Sequence, residues 1–339
     1  MSRKLLRATR SLVLSAALAA LASCGGGGGG SDNMPPPVQS GGGGPPVPTA
    51  LVALSPTNAQ DAAAGATLEG LGASSLSTLL DGASALSTSP AGPALPRTHV
   101  LTHFIKQQID QLIRQRQTPP GVPVAAAVTP PVCNSGTVTV ADNGPNSVVE
   151  TFSACSPEAG VSLSGTITIS NMIADPGVSF SASATINLVL KQTGFADISF
   201  AANNVNVVET INVDVGTFTL SGQEMFITTG TVTERLGNFT LMASFSSTTE
   251  TDDVTFNYAN TKLGGSVNVS TVTPCVTDAA RNFPSSGVLS LTGAGGSNIR
   301  VTINGDETHA TPQLKIELDA DGNGTFETSV DRNWADLVI

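Results

Sequence analysis

The sequence predicts an all-β body, a meandering antiparallel sheet preceded by one amphipathic helix. Two patterns carry that prediction. From about Cys133 onward, apolar residues alternate with small polar ones: Leu163, Ile167 and Ile169 against Ser164, Thr166 and Thr168. The run Phe180, Ala182, Ala184, Ile186, Leu188 and Leu190 alternates with Ser181, Ser183, Thr185 and Asn187 in the same way. A period of two with one apolar phase means strands buried on one face and solvated on the other, which is antiparallel geometry. Upstream, Leu101, Ile105, Ile109 and Leu112 recur at helical spacing instead.

The chain opens as export signals do. Arg3, Lys4, Arg7 and Arg10 precede an apolar run from Leu12 to Ala22 that only Ser15 interrupts. A basic start, a short apolar core and small residues at its end predict a signal peptide over 1–23, too short to span a bilayer. The run closes on Leu21-Ala22-Ser23-Cys24. Those four residues resemble the lipobox of bacterial lipoproteins. The resemblance implies acylation of Cys24, cleavage before it and attachment to the membrane through an N-terminal lipid. The alternative is an ordinary signal peptide with an incidental cysteine. Gly25 stands where inner-membrane lipoproteins of enterobacteria carry Asp. The resemblance therefore implies the outer membrane, with the periplasmic and surface faces both open. Residues 24–50 read as a disordered linker, because the runs Gly25–Gly30 and Gly41–Gly44 and the prolines between them bury too little apolar surface to offset ordering entropy. A flexible chain of that length reaches about 25–30 Å root-mean-square.

Charged residues make up 12% of the 339, about half the usual share, so the polar face of the sheet is built from Ser, Thr and Asn. Loss of Arg3, Lys4, Arg7 and Arg10 with the leader takes the net charge from −11 to −15. Such a surface repels phosphate backbones, which argues against a nucleic-acid partner. With one Trp and one Tyr, it also offers little on which to stack a sugar.

Residues 51–120 are Ala- and Ser-rich. Ser55-Pro56-Thr57-Asn58 predicts the start of a short helix through Ala64, with Gly65 ending it. The amphipathic helix is predicted over 97–117, between Pro96 and Pro119-Pro120, with Phe104 and Ile113 widening its apolar stripe. His99 and His103 are four apart on it, but Val100 follows where a zinc protease has Glu, and no third ligand is evident.

Residues 121–339 form the antiparallel β domain. Cys133 and Cys155 flank two short strand-like runs around the turn Asp142-Asn143-Gly144-Pro145, so folding that hairpin brings them together as a disulfide. Cys275 is then left over and reads as a small buried apolar residue. Later runs continue the alternation through Phe218, Phe239, Val254, Ile299 and Leu314, giving about eleven strands, with a phase slip at Val207-Val208 that suggests a bulge or turn. The sheet can close into a barrel or half-barrel, or split into a sandwich. A parallel solenoid would show a steady repeat of some 20–25 residues, and none is present.

The most specific motif is Asp319-Ala320-Asp321-Gly322-Asn323-Gly324-Thr325-Phe326-Glu327. Oxygen ligands at loop positions 1, 3 and 5, glycine at 6 and a carboxylate at 9 resemble the calcium loops of calmodulin-like hands and of extracellular strand-loop-strand sites. The resemblance implies structural calcium held by Asp319, Asp321, Asn323 and Glu327 through side chains and by Thr325 through its carbonyl, with Asp331 assisting. Val330 departs from the hand, which has a bidentate Glu there. The competing reading is a hairpin turn that needs Asp, Asn and Gly for its backbone and binds no metal. No nucleophile elbow, phosphate loop or obvious carboxylate couple accompanies it, and His309 is alone in the β region, so no catalytic residues and no enzyme are expected.

Residues 130–330 also resemble a broad group of uncharacterised secreted proteobacterial proteins. They share runs such as Gly165-Thr166-Ile167-Thr168-Ile169 and Ser286-Gly287-Val288-Leu289-Ser290-Leu291-Thr292-Gly293 and a closing Asp-rich loop. That implies an all-β body and no activity. The expectation is an outer-membrane-anchored lipoprotein presenting an all-β interaction or structural module to the cell envelope or an envelope protein. The alternative is a periplasmic carrier holding a lipid or other apolar ligand in a curved sheet.

Overall fold

The computed structural model describes residues 47–72 and 133–337, apart from loop residues 145, 157–159, 176–178, 194–195, 212–215, 247, 279–280, 282 and 307. The predicted leader, Cys24, most of the predicted linker, the helix predicted over 97–117 and His99 and His103 lie outside the described residues.

The alternating runs form thirteen strands, two more than the sequence pattern suggests. The first are β1 (Ser135–Asp142), β2 (Val148–Ser156), β3 (Val161–Asp175), β4 (Ser179–Gln192) and β5 (Ile198–Ile211). β6 (Gly216–Thr229), β7 (Val232–Phe245), β8 (Thr249–Asn260) and β9 (Ser266–Asp278) follow. The last are β10 (Ser286–Thr292), β11 (Asn298–Ile303), β12 (Leu314–Asp319) and β13 (Thr328–Arg332). Each pairs antiparallel with its neighbours in sequence, so the body is one open meander in which β1 and β13 are the edges and no barrel closes. The predicted disulfide Cys133–Cys155 is present and ties the start of β1 to β2.

The apolar phase of every inner strand is buried. Phe152, Ile167, Leu188, Phe200, Leu236, Val254, Leu289, Val301 and Leu314 all sit at 2% exposure or less on one face. Long strands hold that phase only by absorbing extra residues. Ala154, Asn171, Asn204 and Asn238 have positive φ, and the register shifts beside each of them. Three of the four are Asn, the residue besides Gly that best tolerates the left-handed region. The phase slip in β5 therefore falls at Asn203-Asn204. At Val207-Val208, where the sequence suggested it, Val207 is buried in register with Ala182.

The N-terminal helix differs from its prediction. Its start holds, with Asn58 Oδ1 accepting the Ser55 N–H at 2.9 Å as in a capping box. It then runs as α1 over Ala59–Gly72, straight through Gly65. The reason is contact with the sheet. A β-carbon on Gly65 would overlap the Tyr258 hydroxyl, and one on Gly70 would lie 2.9 Å from the Phe256 ring. These glycines let α1 approach β8, so they serve packing and do not end the helix. The preceding segment is stitched in as well. Val52 N–H donates to Ser266 O at 3.0 Å, Ser266 N–H to Ala50 O at 2.8 Å, and Ala294 N–H to Val52 O at 2.8 Å.

Candidate functional site

The acidic loop joins β12 to β13. Asp319, at the end of β12, is 3% exposed, whereas Asp321 and Glu327 are exposed. Carboxylate oxygens of these three converge within 4.8 Å of one another, an arrangement able to hold a cation. The loop is also a finished turn. Asp319 Oδ1 accepts the N–H groups of Gly322 (2.8 Å) and Asn323 (3.2 Å), and Oδ2 accepts that of Gly324 (2.8 Å). Asp321 Oδ1 accepts the Asn323 N–H at 3.1 Å, and Glu327 Oε2 accepts the Ala320 N–H at 2.9 Å. Gly322 and Gly324 supply the positive φ that folds the loop back. Gly322 is needed for a second reason: any β-carbon there would lie 2.8 Å from Gly295 O, in the 3-10 turn Ala294–Gly296.

Of the five residues the sequence singles out, three therefore converge. Asn323 turns its Oδ1 to the Thr325 N–H at 2.7 Å and its amide nitrogen to Asp321 Oδ2 at 2.9 Å. Asp331 lies opposite Lys315 on β13, outside the converging group. The loop's Phe326 lies under the Arg300 guanidinium, 4.2 Å from its ring centroid. Arg300 is in turn held by Glu317 at 2.7 Å, and Lys315 reaches the same carboxylate at 2.7 Å. Burial alone would raise the Glu317 pKa, but hydrogen bonds from Lys315 and Arg300 outweigh it and the net shift is downward. The loop thus meets the sheet at Arg300 through Phe326 and the 3-10 turn at Gly295 through Gly322.

A second set of ionisable groups escaped the sequence reading. Glu150, Glu234, Glu250 and Asp252 are all buried within strands, and Glu69 of α1 joins them. The signal was present. Glu150 stands between Val148 and Phe152 in the apolar phase of β2, and Glu250 and Asp252 share the phase of Val254, Phe256 and Tyr258 on β8. Glu234 accepts a 2.5 Å hydrogen bond from the Tyr258 hydroxyl, which in turn accepts one from Asn260 Nδ2 at 2.9 Å. Burial raises the Glu234 pKa, and hydrogen bonds to Tyr258 and Glu69 offset this in part. Burial and the adjacent Glu234 charge push Tyr258 well above the usual phenol value. This network fills the contact between α1 and β8, beneath Gly65. Glu150 differs: its Oε2 has no hydrogen-bond partner among the described residues, and burial lifts its pKa from 4.5 to about 7.

Three other residues stand apart from these sets. Cys275 is fully buried and free, and burial, reinforced by the Asp252 and Asp253 charges, pushes its thiol up to about 12. That is an inert packing group. His309 forms a turn with Asp306, Nδ1 lying 3.0 Å from Oδ1, and Arg281 approaches the other oxygen at 3.6 Å. Trp334 packs the C-terminal segment down, stacking on Phe283 at 4.8 Å and donating its indole N–H to Gly305 O at 2.9 Å. No family model, curated protein or solved structure matches the chain.

Proposed function

We propose that this protein is an outer-membrane lipoprotein whose N-terminal lipid on Cys24 holds an all-β module clear of the membrane for contact with the envelope or an envelope protein. The observation that carries this reading is Leu21-Ala22-Ser23-Cys24 at the end of the apolar run Leu12–Ala22. The Gly-rich tract that follows suits a spacer, and chain segments with firm hydrogen bonds to the sheet begin at Thr49 and Ala50. Glu234 is a packing group in this reading, since it is held by Tyr258 and sits beneath α1. Expression in a Gram-negative host with labelled palmitate tests the anchor. The wild-type chain takes up label and gains mass when lipoprotein signal peptidase is inhibited, and Cys24→Ala does neither. Equal labelling of both chains overturns the anchor.

We assign structural calcium to Asp319, Asp321 and Glu327, with Asn323 and Thr325 as further oxygen donors. Three carboxylates converging within 4.8 Å repel one another unless a cation neutralises them. Calcium at ten times its dissociation constant stabilises by roughly 1.4 kcal/mol, so the melting temperature rises by a few degrees in millimolar calcium. The rise vanishes in Asp321→Ala. An identical melt with calcium or with chelator leaves the loop a metal-free turn. The carrier reading draws on the apolar face that continues from β2 to β12. A lipid mass retained by the purified chain in native mass spectrometry would favour it.

A further inference from the structure

The two edges of the open sheet are unlike. β13 is five residues long, carries Asp331 and Arg332, and leads into the 3-10 turn Trp334–Leu337, whose Trp334 is buried. Short length and charge are how sheet edges avoid unwanted pairing. β1 has neither protection. It is eight residues long, its only charged residue is the terminal Asp142, and Thr137, Val138, Thr139 and Val140 are consecutive β-branched residues. The one irregularity lies at its start, before Thr137; from there to Asp142 the register with β2 is unbroken. Among the described residues β1 pairs with β2 alone, and none of them pairs with the row of backbone N–H and C=O groups on its other side. The Cys133–Cys155 bridge fixes this edge to the sheet.

The side chains show the same lack of cover. Val138 and Val140 stand opposite Phe152 and Glu150, so both point to the apolar face. Val138 packs against the core, but Val140 is 51% exposed. Thr137, Thr139 and Ala141 are exposed on the other face.

We propose that β1 is a homodimer edge, on which a second copy of this chain pairs its own β1 antiparallel about a two-fold axis through Thr139. The strand is complementary to itself in that register. Thr139 faces the partner subunit's Thr139, Val138 faces the partner subunit's Val140, and Thr137 faces the partner subunit's Ala141. Directly opposed residues of an antiparallel pair share a face. The exposed Val140 is thereby covered on the apolar side, the threonines meet on the polar side, and no like charges are opposed. A foreign strand would need its own matching pattern; a second copy supplies it by symmetry. One strand pair buries less than the roughly 1,200 Å² of a standard interface, so the dimer is weak, with a dissociation constant on the order of 1–100 μM. The proposal does not rest on the lipid anchor, and its test reads the edge alone.

Sedimentation velocity on the full chain across that concentration range tests it, using the wild type, Thr139→Lys, Thr139→Glu and an equimolar mixture of the two variants. Thr139 is exposed, so both variants keep the fold, which circular dichroism checks. The wild type shifts toward a dimer as concentration rises. Each variant alone dissociates about fivefold more readily or worse, because like charges meet at the axis. The mixture recovers wild-type association. Under oxidation, Thr139→Cys cross-links two chains while Ser329→Cys, on the opposite edge, does not. A wild type that stays monomeric, a dimer indifferent to Thr139→Lys, or a mixture no tighter than its components overturns the proposal.

Discussion

Glu150 places a carboxyl in the apolar phase of a strand, with Val148 and Phe152 on either side of it. Its folded pKa of about 7 against an ordinary 4.5 ties stability to pH. Below the ordinary value the acid is neutral in both folded and unfolded chains, and its contribution is intact. As pH rises through the folded value, the unfolded chain has ionised freely while the folded one must bury a charge, so stability falls. A shift of that size is worth about 3 kcal/mol once both forms have titrated. Glu150→Gln should therefore raise the urea midpoint near pH 8 and change it little near pH 4.5. An equal difference at both pH values would place the effect in packing instead of charge. The position itself was legible, because a Glu in step with Val and Phe must face where they face. Its missing partner was not, since that depends on which groups three-dimensional packing brings within reach.

At the scale of elements, strands were legible and α1 only at its start. Strands announce themselves because one face stays wet and keeps the polar phase of the alternation. In α1 only Gln60 and Asp61 are exposed, and from Ala62 to Leu71 the helix is buried apart from half-buried Ala64. It has no polar stripe, so no 3.6-residue period was there to read. Gly65 then looked like a stop signal, whereas Gly65 and Gly70 are where the Tyr258 and Phe256 rings fit. That reverses the usual expectation for a helix interior, where Gly→Ala gains up to about 1 kcal/mol. Gly65→Ala should instead destabilise by about 2 kcal/mol, because the new methyl overlaps the Tyr258 hydroxyl or forces α1 off β8. Tyr258→Phe removes the clashing oxygen. The two changes together should therefore cost clearly less than the sum of each alone, as a double-mutant cycle of denaturant midpoints will read. Additive costs would mean that the helix accommodates the methyl elsewhere. The acidic loop shows the same division. Its Asp, Asn and Gly positions were readable as a turn that can take a cation, but the approach of Gly322 to Gly295 was not, because the partner turn lies far off in sequence.

For the whole molecule, a pure meander joins each strand to the next in sequence, and such local pairing leaves the sheet held mainly by neighbours. The segment from Thr49 to Gly72 is the exception. Thr49 O accepts the Ser266 hydroxyl at 2.8 Å, Leu54 N–H reaches Ser297 Oγ at 2.9 Å, and α1 packs on β8, β9, β11 and β12. It covers Tyr258 and Phe256, the inner residues of β8, from more than 180 residues away in sequence. Nothing in the alternation of the strands says that an Ala-rich segment upstream closes over them; only the buried face, which needs a cover, implies that something must. Two truncations test the N-terminal cover. Removing residues 1–46 takes away no hydrogen bond or contact among the described residues, so the melting temperature should stay within a degree or two of the full chain. Removing residues 1–72 strips α1 and the Val52 ladder from β9 and uncovers the Phe256 and Tyr258 rings, each worth roughly 1.5–3 kcal/mol of burial. That loss is comparable with the whole margin of a typical domain. The shorter chain should melt at least 10 °C lower or be recovered only as aggregate, and equal melting of the two truncations would show that the sheet stands without its N-terminal cover.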